Sequence, residues 1–324
     1  MKRAWVTGSQ GFVAPWLIRE LTQRGVEVFG IDRPGRRPAE GSEYEGLELD
    51  LLQPEAVDRA LKKLRPDAIF HLAAQSSAAR SFEYPAETLQ VNVQTTVSLL
   101  EGIRRSAKNE TVLLSVGSCE EYGPIRDTED IPVREDHALR PASPYAVSKV
   151  AQTLLCLQYH DAYALPVVCT RSFTHSGPGQ SDRFVFSSFA RQIAEQERGD
   201  PEQPGKLLVG NLAAVRDLSD VRDVARAYVE LAEKGTRGEV YNVCSGRGIS
   251  IEDGLSILRS LSTREVEVEV DPKRLRPLDV PVLVGDVSKL CSLLGWSPST
   301  PVEQTLADLL QDWRAQLQRG EADG

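Results

Sequence analysis

The chain has 324 residues, 41% hydrophobic and 26% charged, with a formal net charge of −9, the balance of an ordinary folded protein long enough for one large α/β domain or two domains sharing a core. The acidic excess argues against a nucleic-acid or anionic-membrane partner, since either needs a basic face; no apolar run approaches the roughly 18 residues of a membrane span, and the N-terminus enters a strand pattern directly, which points to the cytoplasm. The five cysteines are odd in number and widely spaced with no CxxC pair, and the four histidines form no ligand-like pairing, so neither a disulfide framework nor a metal site is expected.

Arg3 to Thr7 reads as a short buried strand running into Gly8-Ser9-Gln10-Gly11-Phe12-Val13-Ala14, a glycine-rich turn that opens a helix carrying Leu17, Ile18 and Leu21. Two glycines let the backbone turn tightly and approach a pyrophosphate, and the helix N-terminus adds N–H groups and a partial positive charge. Ala14 stands where a third glycine often does and is small enough to pack helix against strand. A second strand, Val26 to Ile31, ends in Asp32, an acidic residue about 20 residues on that can take the adenine ribose hydroxyls. In this context Gly8, Gln10, Gly11, Phe12 and Asp32 form a candidate dinucleotide site. Asp32 favours NAD, because a carboxylate repels a 2′-phosphate. Arg33, Arg36 and Arg37 follow at once and either hold that phosphate or form a solvated loop, so NAD and NADP both stay open.

Leu47 to Leu51 reads as a third strand, with Asp50 and Leu51 placed to meet the adenine. A helix from about Pro54 to Leu64 leads to a fourth strand, Asp67 to Ala74, whose small residues Ala73 and Ala74 leave room for cofactor phosphates. His71 is expected to pack beneath that loop. A long helix from about Pro85 to Arg105 contains Asn92, expected to bridge backbone groups, and a fifth strand, Thr111 to Val116, runs into Gly117-Ser118-Cys119-Glu120-Glu121-Tyr122-Gly123.

Pro144-Tyr145-Ala146-Val147-Ser148-Lys149 then opens a helix, with Ser143 as N-cap and proline at the first helical position. The four-residue spacing puts Tyr145 and Lys149 on one face. An ammonium beside a phenol lowers the phenol's pKa from about 10 toward neutrality and makes it a usable general acid. Such a pair also arises by chance on amphipathic helices. A sixth strand, Val167 to Arg171, completes an alternation that predicts a doubly wound parallel sheet with ligands at the carboxyl ends of its strands.

Beyond residue 172 the alternation stops. Ser172 to Asp182 reads as a Gly/Pro loop, Val185 to Arg198 and Asp220 to Lys234 as helices, Lys206 to Val209 and Glu239 to Val243 as strands, followed by elements at 251–261, 266–270, 286–294 and 302–318 and a polar tail from Gly320. The expected architecture is α/β: a dinucleotide-binding domain of residues 1–171 plus parts of about 206–245, and a smaller discontinuous α/β substrate lobe of about 172–205 and 246–324.

Taken together, TGSQGFVA at the first turn, Asp50-Leu51, HLAAQ at 71–75, Ser118 four residues before Tyr122-Gly123, and Tyr145-Ala-Val-Ser-Lys149 resemble the extended short-chain dehydrogenase/reductase family across nearly the whole chain. The resemblance implies a Rossmann sheet, a bound NAD or NADP and a nucleotide-sugar substrate. By position it makes Ser118 the catalytic hydroxyl, Tyr145 the acid/base, and Lys149 the residue that binds the nicotinamide ribose and lowers the tyrosine's pKa. In the second half, Ser172 to Gln180, Val209 to Leu212, Val215 to Asp217, Asp220 to Asp223, and Arg274 to Pro277 through Trp296 resemble the GDP-4-keto-6-deoxy-D-mannose reductases, with Thr174 where that group usually has asparagine. This implies reduction of the C4 ketone of a GDP-linked sugar.

The same resemblance implies substrate contacts from Gln75, Ser76, His175, Arg183, Asn211, Arg216 and Arg276. Guanidinium forks at Arg216 and Arg276 suit a nucleotide diphosphate, although a structural ion pair with Asp217, Asp220 or Asp279 is the competing reading. Glu120 occupies the position of the base in the related 4,6-dehydratases; here it is assigned to orienting the sugar or its loop, with dehydration or 4-epimerisation as the alternative chemistry. The helices at 85–105 and 144–163 carry apolar surface for pairing with a second copy, as family members often do, which implies a homodimer.

Overall fold

The computed structural model describes residues 1–36, 42–106, 110–125, 127–199, 204–274 and 280–320. Arg37, Arg276, Pro277, Asp279 and the tail after Gly320 lie outside them.

Strand β1 (Arg3–Thr7) passes through the Gly8 turn into α1 (Ala14–Gln23), β2 (Glu27–Asp32) and β3 (Glu45–Glu48). Helix α2 (Pro54–Leu64) crosses to β4 (Ala68–His71), and α3 (Ala78–Glu83), α4 (Pro85–Leu89), a π-helical turn (Gln90–Gln94) and α5 (Thr95–Arg105) lead to β5 (Val112–Ser118). Helix α6 (Pro144–Tyr163), β6 (Val167–Ser172), β7 (Thr174–Ser176), α7 (Val185–Gln196), β8 (Gly205–Val209), β9 (Val215–Asp220), α8 (Val221–Lys234) and β10 (Glu239–Val243) follow. The chain ends with β11 (Gly248–Ser250), α9 (Ile251–Ser260), β12 (Val266–Val270), β13 (Val282–Leu283), α10 (Ser288–Leu294) and α11 (Val302–Arg319).

Seven strands form one parallel sheet in the order β10-β6-β5-β4-β1-β2-β3. All of β4 and all of β6 are buried, as expected of strands covered by helices on both faces. One face carries α1 and α8, whose Leu17, Leu21, Val224 and Leu231 pack on Val6, Phe70 and Val168. The other carries α2, α5 and α6 over Trp5, Ile69 and Leu113. Each of these fully buried side chains contributes about 1.5–3 kcal/mol. Winding reverses between β1 and β4, and the crevice outside that point is where ligands of such sheets bind.

The second core is separate. Phe186, Phe189 and Ile193 of α7 meet Leu207 of β8, Leu255 and Leu258 of α9, and Leu306, Leu309, Leu310 and Trp313 of α11. In this lobe β9 is flanked by β7, β11 and β13, while β8 pairs with β12. β10, by contrast, joins the edge of the large sheet beside β6.

Three local features depart from the sequence reading. The third strand lies at Glu45–Glu48, and Asp50 instead closes a turn by accepting the Leu52 N–H at 2.9 Å. The expected long helix before β5 is divided by the π-helical turn. The Gly/Pro loop contains a strand, β7, paired with a β9 that the pattern did not suggest, because Arg216 and Asp217 in it are not the apolar residues a buried strand normally shows.

Gly123 ends the turn that follows β5, with φ of 66° and its N–H on the Glu120 carbonyl at 3.1 Å. A Cβ there would overlap the Arg140 carbonyl. Gly123→Ala therefore combines a disfavoured backbone with a clash, and should destabilise the fold by more than about 2 kcal/mol in chemical denaturation; a wild-type midpoint would refute the account of this turn.

Candidate active site

Gly8 follows β1 with φ of +70° and donates to the Ile31 carbonyl at 2.8 Å. A Cβ on it would sit 3.0 Å from the Ala73 Cα, so only glycine lets the first and fourth strand ends approach this closely. Helix α1 starts without a side-chain cap, which leaves first-turn N–H groups directed at the Gly8–Phe12 turn. Asp32, at the tip of β2, receives the Ser9 hydroxyl and, at 3.1 Å, the Gln10 N–H on the same oxygen, Oδ2. Gln10 in turn donates to the Tyr44 hydroxyl at 2.9 Å. The carboxylate expected to meet the ribose thus also holds the glycine turn in shape. Arg33 and Arg36 are exposed just beyond it. Phe12 stacks on His175 with ring centroids 6.0 Å apart and planes 6° from parallel.

A buried relay stands beneath the Ala73 loop. The Thr7 hydroxyl oxygen accepts the Ala73 N–H at 3.1 Å and lies 2.9 Å from His71 Nδ1, while His71 Nε2 lies 3.2 Å from Thr96 Oγ1 and 3.4 Å from Thr95 Oγ1. The Thr95 and Thr96 hydroxyls already donate to the Val91 and Asn92 carbonyls. His71 is therefore neutral with its proton on Nε2, and Thr7 donates to Nδ1. Burial, then the charge of Lys149, pulls its pKa down to about 3. As expected from the sequence, it packs rather than ionises. Asn92, held inward by the π-helical turn, accepts the Gln75 N–H at 2.7 Å and donates to the Ser148 hydroxyl at 2.9 Å, tying the Ala73 loop to α6.

Ser118 at the end of β5 and Tyr145 in the first turn of α6 are both buried where the two elements meet. Ser118 Oγ accepts the Glu120 N–H at 3.2 Å. Ser143 caps α6 through the Ala146 N–H at 3.0 Å and donates to Glu120 Oε2 at 3.4 Å. Lys149 is turned into the sheet: Nζ donates to the Val116 carbonyl at 2.8 Å and to Gln152 Oε1 at 3.1 Å, and stands 6.0 Å from the Tyr145 ring centroid. Burial, with Glu120 adding to it, pushes the Tyr145 phenol upward, and the neighbouring Ser118 side chain only partly offsets this. Burial lowers Lys149 itself to about 8, against the opposing charge of Glu121.

The other sequence candidates divide. Ala74 is half-buried beside Ala73, and Leu51 packs in the core. Gln75 is taken up locally, its Nε2 on the Ser77 carbonyl and Thr88 Oγ1 and its Oε1 accepting the Ser77 N–H. Ser76, Arg183 and Asn211 are exposed. His175 donates from Nδ1 to the Phe173 carbonyl at 2.9 Å, which orients its ring over Phe12. Arg216 donates to the Val215 and Val280 carbonyls at 2.9 and 2.7 Å, and its charge is felt at the Cys119 thiol beside Ser118. Asp217 and Asp220 have other partners: Asp217 accepts from Ser245, Gly246 and Gly285, and Asp220 from Arg222 and Thr305. Arg276 falls outside the described residues. What sequence reasoning missed is Glu121, whose position beside Glu120 hid it, together with Arg171 and Gln152.

A family model described as GDP-mannose 4,6 dehydratase matches residues 5–309. The chain belongs to that family. It is 35% identical over 316 residues to a GDP-6-deoxy-D-mannose reductase of Pseudomonas aeruginosa, covering 98% of each chain, and 28% identical over 353 residues to a GDP-mannose 4,6-dehydratase of Yersinia enterocolitica, covering 96% of this chain and 93% of that one. Among solved structures, RMD from Pseudomonas aeruginosa complexed with NADPH superposes with a TM-score of 0.84 at 33% identity, covering 98% of this chain and 100% of the other. The doubly wound fold and the reductase/dehydratase grouping read from the motifs are those of these relatives.

The His71 relay has a consequence for stability. Its native pKa lies below the unfolded value, so the unfolded chain binds the extra proton. Stability is complete above about pH 6.5 and falls as pH drops toward 3, by on the order of 4 kcal/mol from this group. Denaturant unfolding of wild type and His71→Asn at stepped pH should show the gap between them narrowing through that window; a constant gap would show that His71 does not titrate there.

Proposed function

We propose that the chain is an NAD(P)H-dependent reductase of the C4 ketone of a GDP-linked 4-keto-6-deoxyhexose. The observation that carries this is the meeting of Ser118, at the carboxyl end of β5, with Tyr145 in the first turn of α6. Tyr145 supplies a phenol that can give a proton to the ketone oxygen, the role a reduction requires, and Ser118 at the neighbouring strand end supplies a hydroxyl for the same oxygen. The match to the Pseudomonas aeruginosa reductase across both full chains supports the substrate class.

The residues fit a dinucleotide. Gly8, Gln10, Gly11 and Phe12 provide the close turn and open helix N-terminus, and we assign Asp32 and Arg33 to the adenine ribose end, Asp50 to the adenine with Leu51 packed in the core beneath it, Ala73 and Ala74 to the phosphates, and Lys149 to the nicotinamide ribose, for which its ammonium would have to leave its present acceptors. When bound, that cofactor supplies the hydride. Tyr145 then delivers its proton to the carbonyl oxygen, Ser118 donates a hydrogen bond to it, and Lys149 supplies a buried positive charge as negative charge builds on that oxygen. Asp32 was the argument for NAD; its Oδ2 bonds to Ser9 and Gln10 give it a second task, and NAD and NADP remain equal readings. His175, Arg183, Asn211, Arg216 and Arg276, with Gln75 and Ser76 behind the Ala73 loop, are assigned to the nucleotide sugar. Residues 1–171 with 221–243 form the dinucleotide unit.

Glu120 favours a second reading. Its carboxylate bonds Ser143 and acts electrostatically on Tyr145, close enough to serve as the base of a 4,6-dehydratase. A 4-epimerase with retained cofactor is the other alternative.

Tyr145→Phe should lower the rate of keto-sugar reduction on the order of 10² to 10⁴-fold, measured by loss of NAD(P)H absorbance; an unimpaired variant would exclude Tyr145 as the proton donor. GDP-mannose incubated without added reductant should remain unchanged, whereas formation of a keto sugar would establish dehydration.

We further assign a homodimer in the cytoplasm. Five cysteines without a disulfide suit a reducing compartment. Phe82 and Tyr84 beside α3 and α4, and Val147 and Leu154 on α6, expose 63%, 51%, 44% and 53% of their surface on neighbouring helices, an apolar face suited to a second copy. Sedimentation should return a dimer that Leu154→Glu weakens; a monomeric wild type would rule it out.

A further inference from the structure

The segment from His175 to Gln180 is held from both lobes at once. Its inner part closes on itself: buried Gln180 donates from Nε2 to the His175 carbonyl at 2.9 Å, and its Oε1 accepts the Ser176 hydroxyl at 2.6 Å. Ser187, in the first turn of α7, donates to the Gln180 carbonyl at 2.6 Å and accepts the Trp313 indole N–H at 2.9 Å. The tip, Gly177-Pro178-Gly179, is backbone that turns easily, since Gly179 has φ of 86° with open space where a Cβ would stand, and proline brings no N–H of its own. Two outside groups hold it. Trp16 of α1 donates its indole N–H to the Pro178 carbonyl at 3.2 Å, and Asp312 of α11 accepts the Gly179 N–H on Oδ2 at 2.7 Å. The indole is fixed in turn: Arg222 stands over its ring at 5.9 Å while bonding buried Asp220 at 2.7 and 2.8 Å and Asp308 of α11 at 2.7 Å. Phe12, just ahead of α1, stacks on His175. The glycine turn and its helix therefore touch this segment at two points, His175 and Pro178.

We propose that Trp16 and Asp312 are positioning residues for the nucleotide sugar: they pin the tip from the dinucleotide side and from the substrate lobe, and the Gln180 ring passes that fix on to His175. The inference rests on the assignment of His175 to the nucleotide sugar. Both side chains act through Pro178 and Gly179 and neither is assigned to cofactor or sugar. A single donor to one carbonyl adds little to the stability of a 324-residue fold, whereas a tip that turns on glycine carries its neighbours with it once that donor is gone.

The test uses the NADPH-saturated protein. GDP-mannose, which a ketoreductase leaves intact, is titrated by calorimetry into wild type, Trp16→Phe and Asp312→Ala, with NADPH affinity by fluorescence and a thermal melt of each. Trp16→Phe keeps a ring beneath Arg222 and removes the N–H. It should weaken GDP-mannose binding about three- to tenfold and raise the keto-sugar KM alike, with kcat and NADPH affinity within about twofold of wild type. Added to His175→Ala it should cost little more than His175→Ala alone, because both act at the same group. Full additivity is what a merely structural role produces, and it overturns the proposal; so does a folded Trp16→Phe with wild-type GDP-mannose affinity. Should Trp16→Phe not fold, Asp312→Ala must show the same loss and the same non-additivity, and wild-type affinity there overturns the proposal equally. A wild type that binds GDP-mannose and loses affinity in these variants, yet reduces no keto sugar, would sink the ketone-reductase reading and leave this inference standing. A wild type that binds no GDP-mannose removes the assignment of His175, and this inference with it.

Discussion

Chemistry at the ends of buried parallel strands has to be done by polar groups that water barely reaches, and each of them needs a partner inside the protein. That constraint shapes the whole crevice. Thr7, His71 and Thr96 satisfy one another beneath the Ala73 loop, Asn92 closes the gap between that loop and α6, and Glu121 and Arg171 do the same behind Ser118. The Ser118 backbone and helix α6 are therefore backed by a rear layer of buried hydrogen bonds. A half-satisfied network would be worse than an apolar core, so these residues stand or fall together.

The same constraint explains the charges. Burial works against both charged forms, the ammonium of Lys149 and the phenolate of Tyr145.

Much of the fold was legible because it depends on local signals: the Gly8 turn between a strand and a helix, the Ser143-Pro144 start of α6, and apolar runs such as those of β4 and β6. What escaped depends on three-dimensional placement. Glu120 and Glu121 are neighbours in sequence, and only the tight turn after β5 sends one toward Tyr145 and the other into the interior. β9 was hidden because Asp217 is buried with backbone N–H partners from residues 245, 246 and 285 that no local pattern can announce. Lys149 shares a helix face with Tyr145, as its spacing required, yet its long side chain reaches the Val116 carbonyl instead of the phenol.

The π-helical turn at Gln90–Gln94 has a further meaning. One residue beyond the regular count advances a helix by about 100° around its axis, so the segments before and after it present different sides to the protein. α4 leans on α6, while α5 packs against α2 and α6 and its Leu99, Leu100 and Ile103 enter the sheet core. A straight helix could meet one of these neighbours well but not both. The irregular turn works as a joint in an otherwise rigid rod, letting a single span serve the outer helical layer and the core while pointing its amide, Asn92, at the seam between them.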